Sequence, residues 1–386
     1  MNAGRDRVGL APLVVCRLRP LRAGGVEPAM HEARVDLKIG LNRAALRVEY
    51  LYLKETTITG DEMKPQHSDI FSPLKVRHVE LRNRIVAPPM VQLRPITSSD
   101  GIAWYRRLAA GGAGLVIIEA TGIPHFGNEL TAETLKPLAD AIHAEGAAAA
   151  IQLFPIVFGT TADLNELTSE QIRDIVAGYG NAATVCRDAG IDGVEPHGAH
   201  GYLLNQFFMP DRNGRTDEYG GSFADRCELG LEVVERIRGS AGDDMLILYR
   251  HTPVGEGYTL EDSLDYAEGL VAEGVDVLDI SPARAATVAD LAAPFKKQLP
   301  VPVIAVNGMN DPDAAAEALR NGLCDLVAVG RGLLCDAEWP NKVREERFAE
   351  IVKCTDCNQG CFGNLTKGQH VACVHWKDDP VAPFVV

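Results

Sequence analysis

Residues Glu195–Gly221 read E-P-H-G-A-H-G-Y-L-L-N-Q-F-F-M-P-D-R-N-G-R-T-D-E-Y-G-G and continue a short apolar run that begins at Gly193. The stretch places His197, His200 and Tyr202 within six residues. Two imidazoles three residues apart can both donate to one developing oxyanion, and a nearby phenol can deliver a proton. The same spacing is compatible with a metal pair or with buried structural histidines.

Similar short apolar runs alternate along the chain with longer segments of helical apolar spacing, which is typical of βα units. The eight runs are Ile85–Pro89, Leu115–Glu119, Ala147–Leu153, Gly193–His197, Met245–Arg250, Val275–Ser281, Val303–Asn307 and Leu326–Gly330. The predicted helices include Thr134–Glu145, Ser169–Ala189, Ala224–Arg238, Leu260–Glu273 and Pro312–Asn321. Eight near-continuous apolar strands separated by helices favour a (β/α)8 barrel over a doubly wound sheet.

In such a barrel the active site lies at the C-terminal ends of the strands. The residues predicted there are Pro89, Met90, Glu119, Gln152, His197, Arg250, Ser281, Asn307, Gly308, Gly330 and Arg331. Gly308 and Gly330 allow a phosphate to approach the backbone, and Arg331 adds a fork-shaped donor at the corner where barrels bind phosphate. Either glycine alone would be read as a simple turn residue. Because the opening stretch follows the fourth strand, both histidines and Tyr202 are expected on the catalytic rim.

Composition limits the classes of partner. The 386 residues carry a net charge of -15, with 46% hydrophobic and 24% charged residues. This acidic balance disfavours nucleic acid and anionic membrane surfaces as partners. No apolar run approaches the roughly 20 residues of a membrane-spanning helix. We therefore expect a cytoplasmic protein, and nine cysteines without an export signal argue against a disulfide framework.

Four cysteines cluster near the C-terminus, where Cys354, Cys357, Cys361 and Cys373 have the spacing C-x2-C-x3-C-x11-C. Structural zinc sites usually use paired two-residue spacings, whereas three grouped cysteines with a remote fourth are typical of iron–sulfur clusters. The spacing favours a 4Fe-4S cluster over zinc. The other five cysteines are isolated and are interpreted as small core or surface residues.

With these motifs the chain resembles the old yellow enzyme superfamily of flavin mononucleotide (FMN) oxidoreductases. Within it, the chain resembles the iron–sulfur branch that contains 2,4-dienoyl-CoA reductase and trimethylamine dehydrogenase. The resemblance covers roughly His67 to Cys373. It rests on F-S-P-L-K-V-R-H-V-E-L-R-N-R-I-V-A-P-P-M at residues 71–90, on H-G-A-H-G-Y-L-L-N-Q-F at 197–207 with R-T-D-E-Y-G-G-S at 215–222, and on the cysteine spacing.

The resemblance implies FMN and a 4Fe-4S cluster as cofactors. Pro89 and Met90 would line the flavin ring, and Gln152 and Arg250 would bond its pyrimidine edge. The set Asn307, Gly308, Gly330 and Arg331 would bind the remainder of FMN, with the glycines and Arg331 at its phosphate. His197 and His200 would hold a substrate carbonyl oxygen, and Tyr202 would protonate carbon. Cys354, Cys357, Cys361 and Cys373 would hold the cluster.

The predicted function is reduction of an activated C=C bond of an α,β-unsaturated carbonyl or thioester. One alternative is an amine or C-H dehydrogenase that passes electrons from substrate through FMN to the cluster. Another is a non-catalytic electron-transfer or assembly subunit, which the shortened loops after strands three and six favour. Because no G-x-G-x-x-G follows a strand, electrons are expected from or to a separate partner, either NAD(P)H or a redox protein. Either a homo-oligomer or a complex with another redox subunit fits this expectation.

Three segments are predicted. Residues 1–62 have mixed charge and lack strand–helix alternation, so they are interpreted as an over-long start or a flexible or partner-bound arm. Residues 63–345 form the predicted FMN-binding barrel, and residues 346–386 the predicted cluster-binding segment. Pro196, which lacks an N–H donor, is expected to be tolerated only near a strand end.

Overall fold

The fold was analysed in a computed structural model, which describes residues 66–157, 161–282 and 289–378. The predicted N-terminal segment, residues 1–62, lies outside the described residues. Eight parallel strands close into a barrel in the order β10-β3-β4-β5-β6-β7-β8-β9. They are β3 (Ile85–Ala87), β4 (Leu115–Gly122), β5 (Ala148–Phe154), β6 (Gly193–Gly198), β7 (Leu246–His251), β8 (Val277–Ile280), β9 (Val303–Val306) and β10 (Leu326–Ala328). The prediction of a (β/α)8 barrel is confirmed, and each strand overlaps its predicted run.

The described residues form eleven α-helices, and the longer ones between the strands cover the outside of the barrel. They are α1 (Ser99–Ala110), α2 (Ala132–His143), α3 (Ser169–Asp188), α4 (Leu203–Phe208), α5 (Phe223–Ala241), α6 (Leu260–Glu273), α7 (Ala289–Gln298), α8 (Pro312–Arg320), α9 (Arg331–Cys335), α10 (Trp339–Arg344) and α11 (Phe362–Leu365). The α6 helix has its predicted bounds. The α3 helix starts with a capping box between Thr168 and Gln171, which satisfies two backbone donors of its first turn.

An antiparallel hairpin of β1 (Leu74–Val76) and β2 (Val79–Leu81) precedes the barrel. Its Val76, Val79 and Leu81 are buried in one cluster with the side chains that fill the barrel interior. The interior members from the barrel strands are Val86, Leu115, Ile117, Ala148, Ala150, Leu246, Leu248, Val277, Ile304, Leu326 and Ala328. The hairpin therefore extends the interior core.

Interior and exterior side chains alternate along the barrel strands, as the two-residue period of a strand requires. Val116, Ile118, Ile247 and Tyr249 belong to the outer core beneath the helices, whereas their neighbours fill the interior. The same alternation continued toward the C-terminal ends gives the next inward positions. They are Glu119, Gln152, Glu195, His197, Arg250, Asp279 and Ser281, and all are buried. The apolar interior thus ends in a polar layer at the C-terminal face.

Pro196 lies inside β6, which continues to Gly198 and runs between β5 and β7. The pairing with β7 joins Val194 to Ile247 and resumes with His197 opposite Arg250. The missing proline donor therefore falls where that ladder is interrupted, and a central strand accommodates it without a change of register.

Two further features of the described residues bear on expectations from sequence. None of the described helices is both long and apolar enough to cross a membrane. The loop after β8, expected to be short, includes residues 283–288, which lie outside the described residues.

Candidate active site

His197, His200 and Tyr202 meet at the C-terminal end of β6, as the sequence predicts. The ring centroid of His197 lies 5.1 Å from that of His200 and 5.1 Å from that of Tyr202. Phe154, the last residue of β5, packs edgewise against Tyr202 at 5.1 Å. His197 is buried, whereas 39% of Tyr202 is exposed. The phenol therefore borders solvent while the imidazole is enclosed.

Both imidazoles are held in the neutral form. Burial lowers the pKa of His197 well below its usual range, and nearby His200 and Arg250 lower it further. Burial, with a contribution from Arg250, lowers the pKa of His200 to about 3. A neutral imidazole has one N–H donor and one acceptor nitrogen. The pair can therefore donate to a carbonyl oxygen without placing a formal positive charge beside it.

The position of His200 is fixed from two directions. Its backbone N–H donates to Thr252 Oγ1 at 2.9 Å, and its Nε2 lies 2.8 Å from Ser281 Oγ. Its φ of 62° is in the left-handed region, where residues other than glycine are uncommon. Contacts to the loop after β7 and to the end of β8 hold this conformation, so the ring is oriented before any ligand arrives.

Gln152 and Arg250 lie in the polar layer on either side of β6. The strand pairing places Gln152 opposite Glu195 and Arg250 opposite His197. Gln152 Nε2 donates to Glu195 Oε1 at 2.7 Å. Arg250 Nε is buried and has no hydrogen-bond acceptor among the described residues. Its ion-pair partner among the described residues, Asp279 Oδ2, lies 3.4 Å away, so a ligand acceptor at a shorter distance would satisfy this donor.

Two adjoining cavities open at this face. One, of about 370 Å³, is lined by Met90, Gln152, His197, His200 and Tyr202 among others. The other, of about 400 Å³, is lined by Asn307, Gly308, Gly330 and Arg331. Pro89, Met90, Arg250 and Arg331 line both. Together they form a cleft with an apolar wall, a cation near its middle and a glycine-rich end.

The glycine-rich end suits a phosphate. Asn307 and Gly308 have φ values of 79° and 71°, and a Cβ on Gly308 would meet no atom within 4 Å. This backbone is therefore open to a ligand. Arg331 Nη1 lies 2.7 Å from Asp356 Oδ1, so the predicted phosphate ligand contacts the cysteine-rich segment. The cleft thus combines the residues that the resemblance implies for the ring, edge and phosphate of FMN.

Glu119 has a positioning contact that the sequence did not reveal. Its Oε2 accepts from the backbone N–H of Gln92 at 2.6 Å and from the Tyr105 hydroxyl at 3.0 Å. Burial raises the pKa of this carboxyl to about 7. The loop that carries Met90 is therefore anchored through Gln92 to the end of β4.

The same loop is tied to the cysteine-rich segment. Val371 N donates to Gln92 O at 3.0 Å, and Arg94 Nη1 donates to Val371 O at 2.9 Å. Ala372 N donates to Gly360 O at 2.9 Å, which brings the chain around Cys373 beside the chain around Cys361. The segment therefore packs on the rim, and Cys361 and Phe362 line the cavity of the histidines.

The four predicted cluster ligands are thiols without disulfides, but the structure does not arrange them as a metal cage. Among the described residues, no three or more ligand side chains stand close enough to hold a metal ion. Residues 351–358 have no regular secondary structure, and Asp356 and Asn358 adopt positive φ. A hydrogen bond with Cys335 lowers the pKa of the Cys373 thiol to about 6, which favours thiolate. The four thiols have the chemistry of a cluster site, but the described residues do not arrange them as a preformed metal cage.

The structure therefore brings His197, His200, Tyr202, Pro89, Met90, Gln152, Arg250, Asn307, Gly308, Gly330 and Arg331 to one cleft. Thr252, Glu195 and Asp279 belong to the same surroundings but were not predicted. Thr252 follows the end of β7, and Glu195 and Asp279 become recognisable only once the inward positions of neighbouring strands are aligned. Glu119 and Ser281 were predicted on the rim, but without a role.

Comparison with known proteins was made on the whole chain. The family described as NADH:flavin oxidoreductase / NADH oxidase matches residues 69–164 and 158–350. An NADH oxidase of Thermoanaerobacter brockii is 33% identical in an alignment of 350 positions, gaps included, that covers 76% of this chain and 54% of that protein. A cinnamate reductase of Clostridium sporogenes is 30% identical in an alignment of 387 positions, gaps included, that covers 81% of this chain and 58% of that protein.

Among solved structures, a complex of 2-naphthoyl-CoA reductase with 2-naphthoyl-CoA matches with a TM-score of 0.73 and 26% identity. The match covers 80% of this chain and 57% of that one. This chain thus spans little more than half the length of these relatives.

Proposed function

This chain belongs to the NADH:flavin oxidoreductase / NADH oxidase family, and from that premise we propose that it is an FMN-dependent reductase of activated C=C bonds. The substrate class proposed is an α,β-unsaturated carbonyl or thioester. The observation that carries the proposal is the cleft itself. It joins the His197, His200 and Tyr202 face to the Gly308 and Arg331 end through the shared residues Met90 and Arg250.

FMN, when bound, supplies a hydride to one carbon of the double bond. Pro89 and Met90 would line its ring, Gln152 and Arg250 its pyrimidine edge, and Asn307, Gly308, Gly330 and Arg331 its phosphate end. Arg250 adds a fixed positive charge where negative charge accumulates on reduction. Arg250 Nε, which makes no hydrogen bond within the described residues and lies 3.4 Å from Asp279 Oδ2, and the open backbone at Gly308 support this fit.

The two histidines would bind the substrate oxygen through N–H donors. These hydrogen bonds would strengthen as negative charge develops on that oxygen. Tyr202 would then donate its phenolic proton to the carbon opposite the one that receives hydride. Because burial keeps both imidazoles neutral, this end of the cavity is matched to an uncharged ketone, ester or thioester. A free carboxylate would find no formal cation at the histidines. A relative named as a reductase of 2-naphthoyl-CoA, a thioester, supports reduction next to an uncharged carbonyl. The carboxylate named in the cinnamate reductase would need a cation other than the two histidines.

We further propose that residues 346–386 hold a 4Fe-4S cluster through Cys354, Cys357, Cys361 and Cys373, as in the iron–sulfur branch that the sequence resembles. The spacing of the thiols and the packing of their segment against the flavin cleft support this assignment. The sulfurs would have to converge on binding, because the described residues present no preformed cage. NAD(P)H or a redox protein is proposed as the electron partner.

Anaerobic purification with cofactor analysis tests both assignments. We expect a flavin absorption spectrum, FMN on release, and about four irons per chain. Zinc in place of iron would reject the cluster while leaving the flavin assignment in force. Absence of flavin under these conditions would reject the proposed function.

Stopped-flow spectroscopy tests the direction of electron flow. The reduced protein should be reoxidised by enones or enoyl thioesters more rapidly than by buffer alone. Reduction of the oxidised flavin by amines, without reoxidation by enones, would identify an amine dehydrogenase instead. Failure of both classes, with FMN and iron present, would support an electron-transfer subunit.

A further inference from the structure

Two carboxyl groups lie in the barrel interior beside Arg250. Glu195 on β6 and Asp279 on β8 both point inward, and both residues are 0% exposed. Their carboxyl groups are in hydrogen-bonding contact with each other. Asp279 Oδ2 also lies 3.4 Å from Arg250 Nε. Neither residue is among those that would touch flavin or substrate in the proposed function.

Three of the four oxygens of these carboxyl groups have no hydrogen-bond donor among the described residues. Gln152 Nε2 satisfies Glu195 Oε1 at 2.7 Å. When both carboxyl groups are ionised neither can donate to the other, so Glu195 Oε2, Asp279 Oδ1 and Asp279 Oδ2 accept no hydrogen bond from the described residues. The Arg250 Nε donor is 3.4 Å from Asp279 Oδ2. Two ionised carboxylates in contact, with one guanidinium beside them, would leave a net negative charge in a dry interior, which is strongly unfavourable. A proton between the two groups removes that excess charge and satisfies an oxygen on each side.

We propose that Glu195 and Asp279 share one proton and present a single negative charge beside Arg250, which sets the electrostatic potential felt by a flavin at that arginine. Glu195 and Asp279 are thus positioning residues that act through Arg250. The inference rests on the proposed flavin position for its effect on the cofactor, but not for the shared proton itself.

The contacts also assign the proton to one partner. Glu195 accepts from Gln152 through one oxygen, so its other oxygen can carry the proton and donate to Asp279. Asp279 is the partner closer to the Arg250 charge and remains ionised. Burial raises the pKa of both groups, and Asp279 raises that of Glu195 further while Arg250 opposes the rise. The neighbouring titratable groups, His197 and His200, are neutral and add no compensating charge.

Infrared spectroscopy of the purified protein tests the shared proton directly. The C=O stretch of a protonated carboxylic acid should be present well above pH 7 and should disappear in Glu195→Gln. Glu119 is the other buried carboxyl with a raised pKa, but at about 7 it is ionised under these conditions. Glu119→Gln is therefore the matched control and should leave the band unchanged. Absence of the band from the wild-type protein would overturn the proposal.

The midpoint potential of bound FMN tests the effect on the cofactor. Glu195→Gln replaces a neutral acid by a neutral amide, so the potential should stay at the wild-type value. Glu195→Gln with Asp279→Asn removes the remaining negative charge and should favour reduced FMN about tenfold, or about 30 mV for a two-electron couple. A rise already in the single variant would mean that both carboxyls are ionised and would overturn the shared proton.

An unchanged potential in the double variant would overturn the coupling to the flavin. A protein that binds no FMN would contradict the proposed function, and the infrared experiment would still decide the shared proton.

Discussion

Tyr202, the proposed proton donor, differs from a core aromatic residue in its exposure. Its ring contacts His197 and Phe154 edgewise, while 39% of the residue remains exposed. A core tyrosine of this chain, Tyr179, is fully buried. In the proposed reaction this exposure would allow Tyr202 to regain a proton from solvent after each turnover.

Replacing Tyr202 by Phe should therefore slow reduction of the substrate without affecting reduction of the flavin. Loss of a general acid typically costs about 10²–10⁴-fold in rate. Single-turnover reoxidation of the reduced enzyme by an enone measures the rate of substrate reduction. Reduction of the oxidised enzyme by NAD(P)H or dithionite measures the rate of flavin reduction. Tyr219→Phe is a matched control, because Tyr219 donates to Glu232 and does not line the cavity. Unchanged reoxidation in Tyr202→Phe would remove this residue as the acid.

The raised pKa of Glu119 predicts that the free energy of unfolding depends on pH. Burial raises its pKa from 4.5 to about 7 in the folded protein. The contribution of the protonated Glu119 carboxyl to the free energy of unfolding is fully present below pH 4.5. It is lost as the pH rises through 7, because the carboxyl of the unfolded chain ionises first. The rise corresponds to about 3 kcal/mol.

Glu119→Gln keeps an oxygen for the Gln92 N–H and cannot ionise. The difference in free energy of unfolding between this variant and wild type should shift in favour of the variant from pH 4.5 to 7 and then level off. Urea denaturation across this pH range measures the difference. A pH-independent difference would show that Glu119 has an ordinary pKa.

At the residue scale, sequence succeeded where chemistry is local and failed where it depends on two strands at once. His197, His200 and Tyr202 lie within six residues, so their spacing alone indicated a candidate site. Glu195 and Asp279 are 84 residues apart, and their contact follows only from the inward alternation of β6 and β8. The role of Glu119 likewise depends on the backbone of Gln92, which no side-chain pattern encodes.

At the scale of elements, the cysteine-rich segment and the loop after β3 behave as one unit. Arg94 is 5% exposed and donates to the carbonyl of Val371, and Val371 in turn donates to Gln92. A movement of either segment would therefore reach Met90, which lines both cavities.

Arg94→Met should loosen this connection. The Val371 carbonyl would lose a charged donor, worth about 1.5–3 kcal/mol, so local opening should become about 10- to 100-fold more frequent. Amide hydrogen exchange at Val371 and Ala372 measures the change. Arg106→Met is a suitable control, because Arg106 pairs with Glu145 away from the segment. Equal exchange in both variants would contradict the coupling.

The predictability of elements depended on their length and on their end signals. The α3 and α6 helices have polar N-caps and glycines at or after their C-termini, and their predicted bounds were correct within one residue. The β1–β2 hairpin was missed because its strands have three residues each and its turn contains no glycine or asparagine. Arg77 adopts φ of 51° in that turn and is held there by Asp243 and Asp276, which are distant in sequence.

At the scale of the whole molecule, the barrel could be predicted because eight runs recur with helices between them, and a parallel closed sheet is the arrangement that buries such runs on both faces. The cofactor could not be obtained this way. Strand alternation places Arg250 and Gln152 at the rim, but an apolar wall with one cation and a glycine-rich corner suits several phosphorylated ligands. Similarity to known flavin oxidoreductases decided among them.

The last prediction concerns residues 1–62, which lie outside the described residues. All eight barrel strands fall between Ile85 and Ala328, and the interior is extended by the hairpin that starts at Leu74. The predicted FMN contacts, from Pro89 to Arg331, lie within the same part of the chain. Deleting Met1–Glu62 should therefore leave FMN content per chain unchanged and shift the thermal midpoint by no more than a few degrees.

Flavin fluorescence after heat release and a thermal melt of the purified variant measure both quantities against the full chain. A matched disruption, Gly308→Val, places a β-branched residue at a φ of 71° in the proposed phosphate end and should lower FMN content. If the deletion rather than this substitution lowers FMN content, the N-terminal segment belongs to the cofactor site and the proposed boundary near residue 63 is wrong.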